Sequence, residues 1–327
     1  MRFLARSFLN ATVLLAGAAG LPPAPPSMVL AAADSPVTTV QKSGTETTLM
    51  GVHFRDAKMG WTVGAGGTIL KTVDGGRRWK ASPSGTNAIL SGVFFSDARY
   101  GWVVGSNGTI LHSKNGGEKW TSQASGTQAP LYGVYFLTPA IGWVVGGGGT
   151  ILYTVDGGIT WSDRTSGTTA VLYGVHFLDE QQGLAVGALG TILLTQDGGR
   201  SWTTQETRSA ATFFDVRYAD PLYAWAVGNA GAMFQTPDGG VTWVDRTLPC
   251  AQGCSRLTDL LRVRFTDAKT GWVVGERGTI YRTTDAGITW SEIPNGIKAS
   301  LYGLTFPDGA LGWATGERGT ILQIMSK

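Results

Sequence analysis

Thr154-Val155-Asp156-Gly157-Gly158-Ile159-Thr160-Trp161 is one of six copies of an Asp-box pattern, with the aspartate position held by Asp74, Asn115, Asp156, Asp197, Asp238 and Asp285. The tryptophans closing the boxes set a period: Trp79, Trp120, Trp161, Trp202 and Trp243 are 41 residues apart, and Trp290 follows after 47. A second series runs in phase, with Trp61, Trp102, Trp143, a substitute Leu184, then Trp225, Trp272 and Trp313. Seven units are therefore present, and a fixed period of this length marks a repeat architecture.

Within one unit the short apolar runs predict four strands, at 131–137, 142–146, 150–154 and 160–164. A Gly-x-x-Gly turn such as Gly105-Ser106-Asn107-Gly108 joins the second strand to the third, and its glycine and asparagine suit the positive φ of a tight hairpin. No helical periodicity of any length is present. Four strands in about 40–45 residues, seven times over, are the dimensions of propeller blades. The seventh unit stops after its third strand, while Val37–Gln41 has the phase of a fourth strand without a blade of its own. The expectation is an all-β, seven-bladed propeller over 34–327, its ring closed by this N-terminal strand, which removes two open edges.

Composition agrees, with charged residues at 15% and 48 glycines and 12 tryptophans among 327 residues. Residues 1–33 read as an export signal: Arg2 and Arg6 precede an apolar stretch from Phe8 to Leu21, and Ala31-Ala32-Ala33 offers a cleavage site. That stretch, interrupted by Asn10 and Thr12, is short for a membrane span of about 20 residues. Cleavage removes two arginines and no acid, so the net charge falls from +3 to +1. A chain so nearly neutral lacks the basic face of a nucleic-acid binder. Cys250 and Cys254 are expected to form a local disulfide in an exported protein; a metal site is the alternative, although two thiols make only half a zinc shell. No cofactor or metal is expected, and the chain is read as a monomer.

The repeated motifs have structural readings. Box aspartates spread around a ring cannot converge on one substrate, so they are assigned to the turn and not to catalysis. Gly146-Gly147-Gly148-Gly149 leads into a strand, whereas a phosphate-binding glycine loop opens a helix. His53 and His176 occupy one repeat position, three blades apart, and His112 lies on a third strand; all three read as partly buried structural histidines.

More informative are the places where the repeat breaks. Where other first strands carry Gly51, Gly92, Gly133, Gly174 or Gly303, units five and six carry Asp215 and Arg262, and two residues on they add Arg217 and Arg264. In an up-and-down blade the loop leading into the first strand and the turn joining the second to the third emerge on one face. Glu276-Arg277 and Glu317-Arg318, in the turns of units six and seven, therefore share it. Asp215, Arg217, Arg262, Arg264, Glu276, Arg277, Glu317 and Arg318 are the partner-binding candidates; the alternative is that these charges pair with one another as a solvated rim. On the first reading, replacing Arg262 and Arg264 is expected to weaken partner capture and leave stability nearly unchanged.

Gly142-Trp143-Val144-Val145-Gly146, Gly149-Thr150-Ile151-Leu152 and Asp156-Gly157-Gly158-Ile159-Thr160-Trp161 resemble the repeats of the photosystem II stability and assembly factor family, and the resemblance covers 37–327. It implies a non-catalytic propeller in the periplasm or thylakoid lumen that helps a membrane or envelope protein assemble. Photosynthetic members carry an arginine patch, and the arginines named above come from the repeat comparison alone. Asp boxes also occur in sialidases and other propeller glycosidases, so a secreted glycosidase or a glycan-binding lectin is the competing reading. A retaining glycosidase commonly needs two carboxyl groups about 5 Å apart. Outside the boxes the available acids include Glu206, Asp215, Glu276 and Glu317.

Overall fold

Every second strand, from Gly60–Gly64 in the first blade to Gly271–Gly275 in the sixth, is buried along its whole length, which is why these strands read as continuous apolar runs. The computed structural model describes residues 27–30 (backbone only), 36–248 and 258–326. Seven antiparallel sheets are arranged as blades around an axis, with first strands innermost. In the third blade the strands are Leu131–Phe136, Gly142–Gly146, Ile151–Thr154 and Ser162–Asp163. The fourth strand is shorter than its pattern suggests because Thr160 belongs to the Asp-box turn, where its N–H and hydroxyl both bond Asp156.

Closure follows the predicted scheme. Val37–Gln41 pairs antiparallel with Ile321–Met325, from Val37 opposite Met325 to Gln41 opposite Ile321, and completes the seventh blade. One feature lies outside that scheme: Ser27–Leu30 runs parallel to Thr289–Glu292 and adds a fifth strand to blade six. It falls within the stretch read as an export signal, so cleavage after Ala33 would leave that blade with four strands. Most of residues 1–33, and both Cys250 and Cys254, lie outside the described residues.

The two tryptophan series do different jobs within one inter-blade unit. Trp61 stacks on Phe95 of the next blade at 3.5 Å between centroids, and Trp120 of that blade meets the same phenylalanine edge-on at 5.8 Å. Trp102, Phe136 and Trp161 repeat the arrangement, as do Trp143, Phe177 and Trp202. Trp313 stacks on Phe54 at 3.6 Å, so the seam between blades seven and one repeats the stack of the first three, whereas Trp225–Phe265 and Trp272–Phe306 are wider at 6.0 and 4.9 Å. In the first three blades the indole N–H also donates to the first glycine carbonyl of the neighbouring Asp box, from Trp61 to Gly116 at 3.1 Å, from Trp102 to Gly157 at 3.0 Å and from Trp143 to Gly198 at 3.2 Å. Where Leu184 replaces tryptophan, that carbonyl is served by other donors: Tyr218 Oη and Gln182 Nε2 reach Gly239 O at 3.1 and 2.8 Å.

The Asp box is a self-contained turn. Asp156 Oδ1 accepts the Thr160 N–H at 2.9 Å and the Thr154 hydroxyl at 2.8 Å, while Thr154 Oγ1 accepts the Gly158 N–H. Gly157 and Gly158 have φ of 72° and 82°, which glycine adopts without strain. These bonds, with those from Thr160 foremost, hold the Asp156 carboxyl at about 2. The box aspartates thus serve the fold, as their distribution implies.

Candidate partner-binding site

Near the axis the first strands of adjacent blades approach so closely that a Cβ on Gly133 would lie 2.9 Å from the Tyr173 carbonyl, and one on Gly92 would lie 3.0 Å from that of Tyr132. This crowding explains the glycine at the position and makes its replacement by Asp215 and Arg262 conspicuous. The structure brings four of the eight candidates together there. Asp215, which is buried, accepts the Val263 N–H at 3.1 Å and an Arg264 Nη1 bond at 2.5 Å, both from blade six. Arg217 Nη2 faces its other oxygen at 3.7 Å, and Arg217 Nη1 donates to the Val175 carbonyl at 3.2 Å. Arg262 Nη1 donates to the Leu261 carbonyl at 2.7 Å.

Burial pushes the Asp215 carboxyl up, but Arg217, Arg264 and Arg262 more than offset that and hold it at about 2. Burial, followed by the repulsion of Arg264, lowers Arg217 to about 10, so it keeps its proton at neutral pH. The same field reaches the histidines at this level. Burial and then Arg264 and Arg217 depress His53 to about 3, and burial with the same two arginines, Arg217 first, puts His176 well below its ordinary range. His112 is buried against Trp102 at 4.8 Å and lowered to about 4 by burial and Lys114. All three are neutral parts of the framework, in keeping with their structural reading.

The other four candidates form a separate group on the face. Glu276 and Glu317 do not pair with the arginines beside them; they accept backbone N–H groups of Asp259 and Ser300, bracing the loops that lead into their first strands. Arg277 and Arg318 stand at exposed turn tips with φ of 55° and 52°, in the left-handed region. The matching place is held by Gly66, Asn107 and Gly148 in the first three blades and by Leu189 and Ala230, with φ of 57° and 51°, in the next two, so what sets Arg277 and Arg318 apart is their charge and not the left-handed backbone. The eight residues therefore divide into a half-buried axial cluster of four around buried Asp215, two glutamates that brace loops and two arginines at exposed tips. One expectation changes with this geometry: Arg264 holds Asp215 across a blade seam, so its removal lowers stability, whereas Arg262 has no such duty.

An aromatic arc escapes the repeat comparison above. Tyr132 and Tyr173 lie 5.0 Å apart, and Tyr173 and Phe214 5.5 Å, all half-exposed along the first-strand starts. Tyr302 continues the series and donates its hydroxyl to Glu317 at 3.1 Å. The signal lay one position before the glycine series, where Tyr132, Tyr173, Phe214 and Tyr302 recur. The face thus combines aromatic rings, two exposed arginines and a cationic axis, a composition typical of protein-binding hot spots.

The remaining candidate acids are engaged locally, Glu206 with Arg208 at 3.3 Å and Asp215 within the arginine cluster. Among the described residues there is no group of three or more histidine, cysteine, aspartate and glutamate side chains placed to hold a metal ion.

Fold and site together define a seven-bladed Asp-box propeller with one asymmetric, arginine- and aromatic-bearing face. The chain belongs to the family described as photosynthesis system II assembly factor YCF48, whose family model matches residues 30–130, 200–298 and 251–325; a BNR/Asp-box repeat model also matches 152–163. Among solved structures it is similar to a YCF48 bound to a D1 peptide, at 19% identity over 94% of this chain and 100% of that one, with a TM-score of 0.74. YCF48 from Cyanidioschyzon merolae aligns at 22% identity over 88% and 98% of the two chains, with a TM-score of 0.72. The GH74 xyloglucanase from Xanthomonas campestris aligns at 12% identity over 87% of this chain and 53% of that one, with a TM-score of 0.71. These likenesses show a shared fold. No curated protein matches the chain.

Proposed function

We propose that this chain is a non-catalytic scaffold that binds a membrane or envelope protein through the face bearing Arg277 and Arg318, and so aids its assembly or stability. Export to the periplasm, or to the thylakoid lumen in a photosynthetic cell, goes with this reading and rests on the N-terminal pattern of residues 1–33. Among the described residues no helix is long and apolar enough to cross a membrane.

The observation that carries the proposal is the pair of exposed arginines held in left-handed turns, in a chain of the YCF48 family. An exposed arginine with no acidic partner among the described residues is available for bidentate contacts with carboxylates and for stacking on aromatic rings. The YCF48 solved with a D1 peptide supports a membrane-protein segment as the class of partner. The glycosidase reading finds less support, because Glu206, Asp215, Glu276 and Glu317 are each held by local contacts.

The test is co-sedimentation of the purified chain with membranes from its source. Binding should fall at least tenfold in Arg277→Glu/Arg318→Glu, and a panel of chromogenic glycosides should show no turnover. Turnover of any glycoside, or unchanged sedimentation of the double variant, would contradict the proposal.

A further inference from the structure

The seven first strands leave a cavity of about 50 Å³ on the axis, lined by Asp215, Arg217, Arg262 and Arg264 together with the backbone of the glycine positions. One water needs roughly 10–15 Å³ of such space, so there is room for a few waters or one small ion. The charges lining it do not balance, since three guanidiniums face a single carboxylate. Asp215 is already engaged by Arg264, Arg217 and the Val263 N–H. Arg262 makes a hydrogen bond to the carbonyl of Leu261, and among the described residues it has no ion-pair partner.

The excess cannot be relieved by losing protons, because guanidinium stays charged in proteins. Nor do the neighbouring groups soften it, as His53 and His176 are neutral and bring no counter-charge. Like charges held close together by half-buried side chains repel one another, and a counter-ion removes that repulsion. The backbone of Gly51, Gly92, Gly133, Gly174 and Gly303 lines the cavity with the arginines, whose planar N–H donors provide the hydrogen bonds for an ion.

We propose that the axial cavity binds a small monovalent anion, of halide or formate size, held chiefly by Arg262 with Arg217 and Arg264. The ion completes the charge balance of the ring axis and ties blades five and six together. This site lies on the ring axis and does not depend on the partner proposed above.

The purified full-length chain, dialysed into gluconate at constant ionic strength, is titrated with chloride, formate or sulfate while the melting temperature is read. Chloride or formate should raise the melting temperature in proportion to the logarithm of its concentration once that exceeds Kd, by about 5 °C at a hundredfold excess. The more potent of the two identifies a halide or a carboxylate site, and sulfate should do no more than gluconate. Arg262→Gly restores the residue found in the other blades and should lose the response, while Arg318→Ala should keep it. If Arg262→Gly fails to fold, line broadening of the ³⁵Cl resonance by the wild-type chain, reversed by formate, gives the same answer. No rise with chloride or formate in the wild-type chain, the same rise with sulfate, or an undiminished rise in Arg262→Gly would overturn the site.

Discussion

Replacing Trp61 by leucine reproduces in blade one what Leu184 presents in blade four, but without the compensating donors. Trp61 is fully buried, stacks on Phe95 at 3.5 Å and donates to the Gly116 carbonyl at 3.1 Å. Losing the stack costs about 1 kcal/mol. Depriving a buried carbonyl of its donor costs about 1–3 kcal/mol. The smaller side chain adds a cavity term of about 1–2 kcal/mol, for a total near 4 kcal/mol. Phe95→Tyr should then recover about 1 kcal/mol in the Trp61→Leu background, because Tyr218, at the equivalent position, places its hydroxyl on Gly239 O at 3.1 Å. Met59→Gln should add to the rescue, as Gln182 does beside Tyr218. In the wild-type background the same Phe95→Tyr should destabilise, since the new hydroxyl meets an indole that already occupies the acceptor. Urea unfolding of the four members of the cycle measures the coupling, which should exceed about 1 kcal/mol. Additive effects of the two substitutions would refute the view that Tyr218 and Gln182 substitute for a missing tryptophan.

Deleting residues 36–41 should destabilise the whole ring, because the last blade loses its outer strand and both edges open; an unchanged melting curve would count against closure by this strand. Asp156→Ala should cost about 1–2 kcal/mol through the lost turn bonds and leave membrane co-sedimentation unaltered, so a binding defect in a folded variant would reopen the Asp-box face as a site. Arg264→Ala should lower stability more than Arg262→Ala, since Arg264 alone of the two bonds the buried Asp215; equal melting temperatures would show that the ion pair contributes little. The unfolded chain takes up histidine protons near 6.5, whereas folded His53 does so only near 3, so the folded state binds fewer protons in between. Stability should therefore be level above about pH 7 and fall as pH drops from 6.5 towards 5, with a shallower fall in His53→Phe. A flat profile through that window would show that His53 is not held neutral.

The repeat made most of the fold legible. Strand positions recur seven times, so a weak signal in one unit is reinforced by the others, and even the strand at Val37–Gln41 is recognisable from its phase alone. What the repeat could not express is contact between units. Phe95 reads as one more apolar residue of a first strand, and only the assembled ring shows it stacked beneath Trp61 of the preceding blade. Asp215 and Arg262 stood out because they break a glycine series, but their burial depends on the distance between neighbouring first strands. The pattern marked them with Arg277 and Arg318 as one polar sector, and the structure separates an internal cluster from exposed tips. Tyr132, Tyr173 and Phe214 recur one position before the glycine series, a signal that marks them as aromatic strand residues without showing that they meet. Their arc exists only because consecutive blades bring those positions within about 5 Å, the range in which aromatic rings interact.

The most direct test of a partner-binding face is site-specific photo-cross-linking in native membranes. A photoreactive residue is placed in turn at Arg277, at Arg318 and, on the opposite face, at Thr160 of an Asp box. The scaffold account predicts one shared adduct with a membrane or envelope protein from positions 277 and 318 and none from 160. An adduct from 160 with none from 277 and 318 would place the interaction on the Asp-box face and contradict the account.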